Sequence, residues 1–483
     1  MGTTVKQFGM TVNGEAVYTK NTLPVINPAN EEVIAQVPHA DQNDLNHTVN
    51  AAKAASPAWA ARSAEERAAK LEAFADAFYE QRDELARLFT LEMGRPLKGS
   101  LQEVIGSSKS CKMIAGQRLE NEILEETEQH FVEKSYTPLG VAGLIVPWNF
   151  PVTLAIWKIA PALLTGNTIV MKPSPNTPLT ALFLGKIAKD IFPAGVVNVV
   201  TGGNELGAWM TEHPGIDKIS FTGSTATGKK VMQGAADNLK RITLELGGND
   251  AAIVLEDADP KKFVEPVFWA AFRNTAQICI ASKRLYVHEN IYDEFLAELV
   301  NYAKTVNVGD GMDSDTMIGP VQNNMQFEKV KDLIEDAKSS GATIVCGGDV
   351  EDKPGYFIPI TIVDNPAEDS RVVQEEAFGP ILPVLKYHDY EDVIQRANDS
   401  IYGLAGSVWG EDLTFAKSIA DRLETGTVWI NEAHILSPKF PFGGHKHSGI
   451  GVEHSREGLA EYTNTKVVMM RKKYFFYKRG GRL

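Results

Sequence analysis

Cysteine is scarce in this sequence, and the scarcity limits the folds and sites that the chain can form. Only three cysteines occur in 483 residues: Cys111, Cys279 and Cys346. An odd number at such wide spacing cannot build a full disulfide framework or a thiolate-rich zinc site, so we expect no metal centre. The scarcity also predicts a reducing, cytoplasmic location with free thiols. We interpret Cys111, in a helical stretch, and Cys346, at the end of an apolar run, as packing residues.

A basic leader and a long hydrophobic run are lacking too. The N-terminal segment has no basic region followed by an apolar stretch, and Lys6 stands where an N-myristoylation signal needs Ser or Thr. Residues 144–171 are the most apolar stretch, but they include Lys158 and three prolines, which would leave charge and backbone groups unsatisfied in lipid. We therefore expect no membrane partner and predict a buried strand, turn and helix there.

Basic residues are fewer than acidic residues in this sequence. Lys and Arg total 48 against 62 Asp and Glu, and the formal net charge is −14. Binding of nucleic-acid phosphates needs a basic face, so no nucleic-acid partner is expected. We interpret the locally basic and aromatic segment 471–483 as a solvated or subunit-facing tail. Hydrophobic residues make up 43% and charged residues 23% of the chain, which is typical of a globular protein and excludes a disordered or fibrous one.

The hydrophobic pattern indicates helices first, then strands that alternate with helices. Residues 41–115 have helical periodicity, and Ser63 with Glu66 forms a capping box inside them. From Val141 short β-branched runs alternate with helical segments, and a second region of this kind follows residue 250. This alternation is typical of parallel, doubly wound sheets. We predict an α/β fold with two such domains and a ligand cleft beyond the carboxyl ends of the strands.

Three local features are candidates for chemistry in that cleft. Residues 221–228 (FTGSTATG) follow a strand and open a helix near Thr225, where backbone N–H groups either bind a pyrophosphate or simply cap the helix. Glu245 ends an apolar strand and precedes two glycines, where backbone can approach a ligand closely. Cys279 lies in an apolar run, in which an isolated thiol is most often inert core. Spacing alone does not pair Cys279 with Glu245.

Taken together, seven motifs resemble those of the NAD(P)-dependent aldehyde dehydrogenase superfamily. They occur in the family's order with family-like gaps, and the resemblance begins at Asn27-Pro28-Ala29 and runs to the C-terminal end. The motifs are Pro147-Trp148-Asn149-Phe150-Pro151, Lys172-Pro173-Ser174, the segment 221–228, Glu245-Leu246-Gly247-Gly248, Gln277-Ile278-Cys279, Glu376-Ala377-Phe378-Gly379-Pro380 and Pro441-Phe442-Gly443-Gly444.

The resemblance implies an aldehyde dehydrogenase-like fold, with two doubly wound α/β domains and a small β extension for oligomerisation. Residues 1–118 and 139–247 would form the NAD(P)-binding domain, and residues 248–459 the catalytic domain. Residues 119–138 and 460–483 would form oligomerisation strands that cover exposed sheet edges. A homodimer or homotetramer is expected.

The resemblance also implies oxidation of an aldehyde to its carboxylic acid with NAD(P)+. Cys279 would attack the carbonyl as a thiolate, and Asn149 would hold the oxyanion together with the backbone N–H of Cys279. Hydride transfer would leave a thioester, which water hydrolyses with Glu245 as general base. Lys158 and Glu453 match a proton-relay pair of the family or form a structural ion pair. The presence of Glu245 disfavours the CoA-acylating alternative, and the retained site residues disfavour a non-catalytic structural relative.

Cofactor contacts follow from the same resemblance. Lys172 matches the lysine that holds the adenosine ribose, and Glu376 the glutamate that hydrogen-bonds the nicotinamide ribose. The other positions that would contact the cofactor are Trp148, Gly223, Ser224 and Phe378. Pro175 stands where many NAD-specific members have a glutamate that repels a 2′-phosphate. We therefore predict NAD as cofactor with some tolerance of NADP.

Residues that match the family's substrate tunnel are all apolar or aromatic. They are Phe150, Leu154, Trp157, Ile278, Ile280 and Phe442. Because no basic residue is evident among them, we predict an uncharged, apolar or aromatic aldehyde as substrate. The loop 432–439 would close the tunnel. Ala276 replaces a glycine that is usual before the cysteine, and His445 and His447 are interpreted as surface histidines.

Overall fold

The computed structural model describes residues 6–472, and the structural statements below refer to that part of the chain. Most of the basic C-terminal tail therefore lies outside the described residues. The helices are α1 (Gln42–Ala60), α2 (Ala64–Glu80), α3 (Arg82–Met93), α4 (Leu97–Ala115), α5 (Pro151–Leu164), α6 (Leu179–Ala188), α7 (Asn204–Glu212), α8 (Thr225–Ala236), α9 (Pro260–Phe272), α10 (Glu289–Ala303), α11 (Asn324–Ser339), α12 (Arg371–Gln374), α13 (Tyr390–Asn398), α14 (Leu413–Ala420) and α15 (Ser455–Ala460).

The strands are numbered separately in chain order. They are β1 (Lys6–Gln7), β2 (Met10–Val12), β3 (Glu15–Val17), β4 (Thr22–Ile26), β5 (Val33–Pro38), β6 (Glu122–Glu126), β7 (His130–Pro138), β8 (Val141–Val146), β9 (Thr168–Pro173), β10 (Val197–Val199), β11 (Lys218–Thr222), β12 (Arg241–Glu245), β13 (Asp250–Val254), β14 (Ser282–His288), β15 (Thr343–Cys346), β16 (Thr361–Asp364), β17 (Ile381–Tyr387), β18 (Tyr402–Gly403), β19 (Ala405–Trp409), β20 (Thr427–Ile430), β21 (His445–Lys446), β22 (Gly449–Ile450) and β23 (Thr463–Arg471).

The helical segment predicted for residues 41–115 is divided among α1 to α4. The predicted capping box is confirmed at the start of α2, where the Glu66 N–H donates to the Ser63 hydroxyl and the Ser63 N–H donates to the Glu66 carboxylate. Helix α3 ends at Gly94, whose φ of 88° suits a residue without Cβ. Cys111 is fully buried in α4, which agrees with its interpretation as a packing residue.

An eight-stranded sheet forms the first α/β unit, in the order β22-β12-β11-β8-β9-β10-β2-β3. The five strands from β12 to β10 run parallel, whereas β22 and β2 pair antiparallel beside them. Strands β8, β9 and β11 are buried along their whole length, because helices cover both faces of the sheet. The segments that leave the carboxyl ends of these strands meet at one edge: residues 147–150, 174–176, 223–224 and 246–248.

A seven-stranded sheet forms the second α/β unit, in the order β15-β16-β17-β14-β13-β19-β20. All of its neighbouring strands are parallel except the β15–β16 pair. Cys279 lies just before β14 and Glu376 lies before β17, so both approach the cleft from this unit. The two sheets confirm the predicted α/β class, in which residues 144–171 form β8, α5 and β9 rather than one long helix.

A smaller antiparallel sheet, β23-β7-β6, stands apart from both units. Strand β7 pairs with β23 in an unbroken register from Thr463↔Pro138 to Arg471↔His130. The sheet leaves several large apolar side chains exposed: Ile123, Leu124, Val467, Val468, Met469 and Met470. The predicted domain boundaries stay a prediction, and Gly449–Ile450, inside the segment assigned to the catalytic domain, extends the first sheet at β12.

Between residues 6 and 472, every helix is too short or too polar to cross a membrane. The same part of the chain holds no group of three or more His, Cys, Asp or Glu side chains that could bind a metal ion.

Candidate active site

A cavity of about 1240 Å³ opens where the first sheet's carboxyl edge meets the second unit. It is lined by ten of the residues that the sequence predicted for catalysis, cofactor binding and the substrate tunnel: Trp148, Asn149, Leu154, Lys172, Pro175, Gly223, Ser224, Cys279, Glu376 and Phe378. Five predicted tunnel residues and Glu245, Lys158 and Glu453 lie outside its lining. Residues that are far apart in the chain are therefore brought to one cleft.

The cysteine is carried on a tight left-handed turn that is unusual for residues with side chains. Asn274, Thr275 and Ala276 have φ values of 55°, 59° and 57° in succession. Each costs roughly 1–2 kcal/mol in an L-residue, so tertiary contacts have to hold the turn. Thr275 Oγ1 donates to the Gly319 carbonyl at 3.0 Å, and the Gln322 N–H donates to the Gln277 side chain at 2.8 Å. Cys279 follows this turn and is partly exposed in the cavity.

Asn149 is bonded to the same turn. Its Nδ2 donates to the Gln277 carbonyl at 2.9 Å, and the Asn274 side chain donates to the Asn149 carbonyl at 3.3 Å. One amide hydrogen of Asn149 thus anchors the side chain against the cysteine loop. Because a carboxamide carries two N–H hydrogens, the second is left for a further acceptor in the cavity. Asn149 is 4% exposed, so its amide is held rather than mobile.

Glu245 lies at the end of β12 but turns away from the cavity. It is buried, and neither carboxylate oxygen has a hydrogen-bond partner among the described residues. Burial and the negative charge of Glu453 raise the pKa of Glu245 well above its usual value, while Lys158 opposes the shift. A carboxylate in these surroundings is a stronger base than one in water.

Lys158 and Glu453 form a fully buried ion pair next to Glu245. Lys158 Nζ also donates to Ser220 Oγ at 3.0 Å, and Glu453 keeps one oxygen without a partner. This geometry is compatible with both alternatives for Lys158 and Glu453, a proton relay and a structural ion pair. The His454 ring, whose pKa burial lowers to about 4, packs against Trp157 with ring centroids 4.2 Å apart.

The segment 221–228, a candidate for binding a pyrophosphate, both caps a helix and lines the cleft. Ser224 is the N-cap of α8 and its hydroxyl accepts from the Thr227 N–H at 3.3 Å, while Gly223 and Ser224 both line the cavity. The positive end of α8 therefore faces the cleft. Lys172 also lines the cavity; burial lowers its pKa to about 8, and Glu205 opposes that shift.

Glu376 and Phe378 close the opposite side of the cleft. The Gly248 N–H donates to Glu376 Oε1 at 3.1 Å, and a Cβ on Gly247 would lie 2.3 Å from Glu376 Oε2. An alanine at position 247 would therefore displace the Glu376 carboxylate. The Phe378 ring meets Trp148 edge to face, with centroids 5.3 Å apart. Two rings and one carboxylate thus border the part of the cavity that contains Cys279.

The tunnel residues form an apolar cluster around the cysteine. Ile278, Ile280 and Phe442 are buried together, and Phe150 and Leu436 pack against them. Trp157 reaches Phe442 with ring centroids 6.5 Å apart. Leu436 belongs to the loop 432–439, which agrees with the predicted position of that loop at the tunnel.

A basic side chain does approach this cluster, although none was predicted there. The Arg95 guanidinium lies 5.2 Å from the Phe150 ring. It is paired with Glu103, and both are buried, so its charge is neutralised locally. His445 and His447 are exposed, as predicted.

Sequence reasoning missed Lys283, which lies between two predicted site residues. It belongs to β14, in which all seven residues are buried, and its side chain is 5% exposed. Its Nζ donates to the Cys279 carbonyl at 2.7 Å and lies 3.6 Å from Glu376 Oε1. The available signal was a charged residue inside an otherwise buried strand, which is rare unless the charge has a partner.

Nearly all of the chain is similar to known aldehyde dehydrogenases. The model of the aldehyde dehydrogenase family matches residues 16–468. An aldehyde dehydrogenase of Fusarium sp is 39% identical over 467 residues, covering 96% of this chain and 99% of that protein. Human retinaldehyde dehydrogenase 3 is 41% identical over 455 residues, covering 92% and 89%. A solved structure of betaine aldehyde dehydrogenase from Staphylococcus aureus, in complex with NAD+, superposes with a TM-score of 0.94 at 36% identity, covering 98% and 96%.

Two α/β sheets, a three-stranded extension and a thiol in the cleft define an oxidoreductase of the aldehyde-oxidising class. The chain belongs to the aldehyde dehydrogenase family. The resemblance drawn from its seven motifs is thereby confirmed, and the roles of individual site residues stay predictions.

Proposed function

We propose that this enzyme oxidises an aldehyde to the carboxylic acid with NAD+, through a covalent intermediate on Cys279. The observation that carries the proposal is the cavity itself. It brings the Cys279 thiol, the anchored amide of Asn149 and the predicted cofactor residues to one cleft. A thiol within apolar walls and beside a fixed amide donor suits attack on a carbonyl carbon.

Activation of the thiol is the first requirement. Burial raises the pKa of Cys279 to about 12, and the charges of Asp250, Glu376 and Glu245 add to the shift, whereas Lys283 opposes it. A thiolate forms at neutral pH only if the bound substrate and cofactor favour it or if a base removes the proton. The Cys279 sulfur then attacks the aldehyde carbon, and the oxygen that becomes negative is held by Asn149 Nδ2 and the Cys279 N–H.

The residues of the cleft fit NAD. The positive end of α8 with Gly223 and Ser224 suits the pyrophosphate, while Lys172 and Glu376 suit the two riboses. Trp148 and Phe378 offer aromatic edges to the nicotinamide. A nicotinamide bound there would supply the acceptor for the hydride that leaves the carbon attached to Cys279, and the carbon would then be held on the sulfur as a thioester. The solved betaine aldehyde dehydrogenase in complex with NAD+ supports this cofactor.

Hydrolysis of the thioester needs a base, and we assign that role to Glu245. Its raised pKa makes the deprotonated carboxylate a stronger base toward water. Because Glu245 is buried outside the cavity lining, and its charge interacts both with Cys279 and with the Lys158–Glu453 pair, we propose that its side chain moves between the thioester and the pair to pass the proton on. Lys158 and Glu453 are then a proton relay as well as an ion pair. We expect Glu245→Gln to accumulate the acylated enzyme, which intact-protein mass spectrometry detects after one substrate addition.

The proposed substrate is an uncharged, apolar or aromatic aldehyde. The tunnel cluster is apolar, and the nearby Arg95 is neutralised by Glu103. A kinetic panel tests this: aromatic and aliphatic aldehydes should have higher kcat/KM than succinic semialdehyde. A clear preference for the semialdehyde acid would contradict the proposed substrate class while leaving the reaction type intact.

The proposed assembly is a homodimer or homotetramer, joined through the exposed apolar residues of the β23-β7-β6 sheet. A cytoplasmic location is proposed with it, and the free thiols support a reducing compartment.

The deciding experiment is NADH formation by Cys279→Ala. Cys346→Ala is the matched control, because Cys346 is a second partly exposed thiol that lies on β15, away from the cavity. We expect the first variant to lose activity and the second to keep it. NADH formation by Cys279→Ala at the wild-type rate would refute the proposal. Steady-state turnover that depends on added CoA would instead favour the acylating alternative.

A further inference from the structure

Lys283 is a buried cation that contacts both the segment of the proposed nucleophile and a proposed cofactor-binding residue. Its ammonium donates to the Cys279 carbonyl at 2.7 Å and to the Ala281 carbonyl at 3.4 Å. It also lies 3.6 Å from the carboxylate of Glu376. A buried ammonium is costly unless charged and polar partners surround it. Among the described residues, Lys283 finds these partners in the segment of the nucleophile and in the proposed ribose-binding residue, and the buried carboxylate of Asp250 is also close enough to interact with its charge.

These contacts form a compact junction. The Gly248 N–H donates to the same Glu376 oxygen, Oε1, that faces Lys283, and a Cβ on Gly248 would lie 2.7 Å from the Cys279 carbonyl oxygen. The peptide that follows Cys279, the Lys283 ammonium and the Glu376 carboxylate are thus packed without space for another side chain. A shift of Glu376 acts directly on the ammonium, and through it on the peptide beside the thiol.

The contacts of Lys283 also have an electrostatic effect on the Cys279 thiol. Asp250 on β13, Glu245 on β12 and Glu376 all disfavour the thiolate, while Lys283 favours it. Asp250 is buried without a partner for one oxygen, and Lys283 opposes the rise of its pKa to about 7. Further charged or titratable groups close to this junction are Arg284 beside Lys283, Tyr402 and Lys329 near Glu376, and His434 from the loop 432–439, whose pKa burial lowers to about 4.

We propose that Lys283 is a positioning residue that couples the cofactor site to the nucleophile. Its ammonium pins the peptide after Cys279, favours the thiolate, and holds Glu376 in place for the ribose. A bound ribose that hydrogen-bonds to Glu376 weakens the ion pair between Glu376 and Lys283. More of the positive charge of Lys283 then acts on Cys279, so the thiolate is favoured more strongly once the cofactor is present. This inference rests on the proposed function, because it takes Cys279 as nucleophile and Glu376 as a cofactor contact.

The test is the pH dependence of Cys279 alkylation by iodoacetamide, measured by peptide mass spectrometry on the intact enzyme. Lys283→Met removes the charge and keeps the length of the side chain, whereas Lys283→Arg keeps the charge. We expect the methionine variant to have its alkylation midpoint at least one pH unit higher, so that the rate at a fixed pH below the midpoint falls about tenfold. The arginine variant should restore most of the rate. NAD should also bind more weakly to Lys283→Met, and a titration followed by quenching of tryptophan fluorescence measures this.

Lys329→Met is the matched control. Lys329 is an exposed lysine that lines the same cavity and donates to the backbone carbonyl of Glu376 at 2.6 Å, but it does not contact Cys279. Like Lys283→Met, the Lys329→Met substitution removes one positive charge from the cleft. We expect the alkylation midpoint to stay at the wild-type value.

Glu376→Gln gives a prediction of opposite sign in case Lys283→Met does not fold. Removing the carboxylate leaves the charge of Lys283 fully available to the thiolate, so the midpoint should move to lower pH. An unchanged midpoint in Lys283→Met, or a rise in Glu376→Gln, would overturn the proposal. Alkylation needs no turnover, so these outcomes are distinct from failure of the proposed function, which full activity of Cys279→Ala would reveal.

Discussion

Replacing Lys158 by methionine removes the cation from the buried pair with Glu453. The two side chains are 0% and 4% exposed, so the variant leaves a carboxylate that is neither solvated nor paired. Loss of one partner of a buried ion pair costs about 3–5 kcal/mol. The lost hydrogen bond to Ser220 adds about 1 kcal/mol. Glu453→Gln leaves the ammonium unpaired and should be destabilising for the same reason.

Urea unfolding of the two single variants and the double variant Lys158→Met/Glu453→Leu measures this effect. We expect the double variant to recover most of the loss, because apolar residues of similar volume replace buried ion pairs at little cost. A loss of less than 1 kcal/mol in Lys158→Met would mean that the pair is solvated and that our account of the buried pair is wrong. Surface pairs of that kind contribute only about 0–1 kcal/mol.

The same variants should move the pH dependence of deacylation in opposite directions. Burial raises the pKa of Glu245, the negative charge of Glu453 raises it further, and Lys158 lowers it. Hydrolysis needs Glu245 in its deprotonated form, so the rate rises with pH through that pKa. Glu453→Gln should shift the rise to lower pH and Lys158→Met should shift it to higher pH. Single-turnover thioester hydrolysis across pH checks this, and shifts of equal sign would refute the electrostatic reasoning.

Three further changes test other parts of the site and surface. Gly247→Ala puts a Cβ 2.3 Å from the Glu376 carboxylate, so KM for NAD should rise at least tenfold; an unchanged KM would show that Glu376 does not contact the cofactor. Pro175→Glu adds a carboxylate to the cavity lining, and kcat/KM with NADP should fall more than with NAD; equal loss with both cofactors would contradict the predicted tolerance. Met469→Glu places a charge on the exposed face of β23 and should lower the oligomeric state in sedimentation velocity, while an unchanged state would exclude this face as the interface.

Local chemistry predicted much of the fold. The β-branched runs at β8, β9 and β11 are parallel strands because each is buried on both faces and is followed by a covering helix. The capping box of Ser63 and Glu66 and the cap at Ser224 are set by side chains within three residues of the backbone groups that they satisfy. Contacts of this short range can be predicted from the order of residue types alone.

The cysteine turn could not be predicted in this way. None of Asn274, Thr275 and Ala276 is glycine, yet all three adopt positive φ, because distant groups such as the Gly319 carbonyl hold them. The electrostatic surroundings of Glu245 could not be predicted either, because Lys158 and Glu453 come from helix α5 and from a segment near the C-terminal end. The role of Lys283 could not be predicted because its charged partner, Glu376, is brought to it only by the packing of two separate segments.

The long ladder between β7 and β23 has a consequence for the order of events during synthesis. Strand β7 ends at Pro138, whereas its partner begins at Thr463. At about 5–20 residues per second, a ribosome needs roughly 16–65 s to make the intervening chain. During that time one edge of β7 is open to any other strand in reach. The surface proposed for subunit contact is therefore completed late, after both α/β units have been synthesised, so newly made chains associate through it only when their catalytic halves exist.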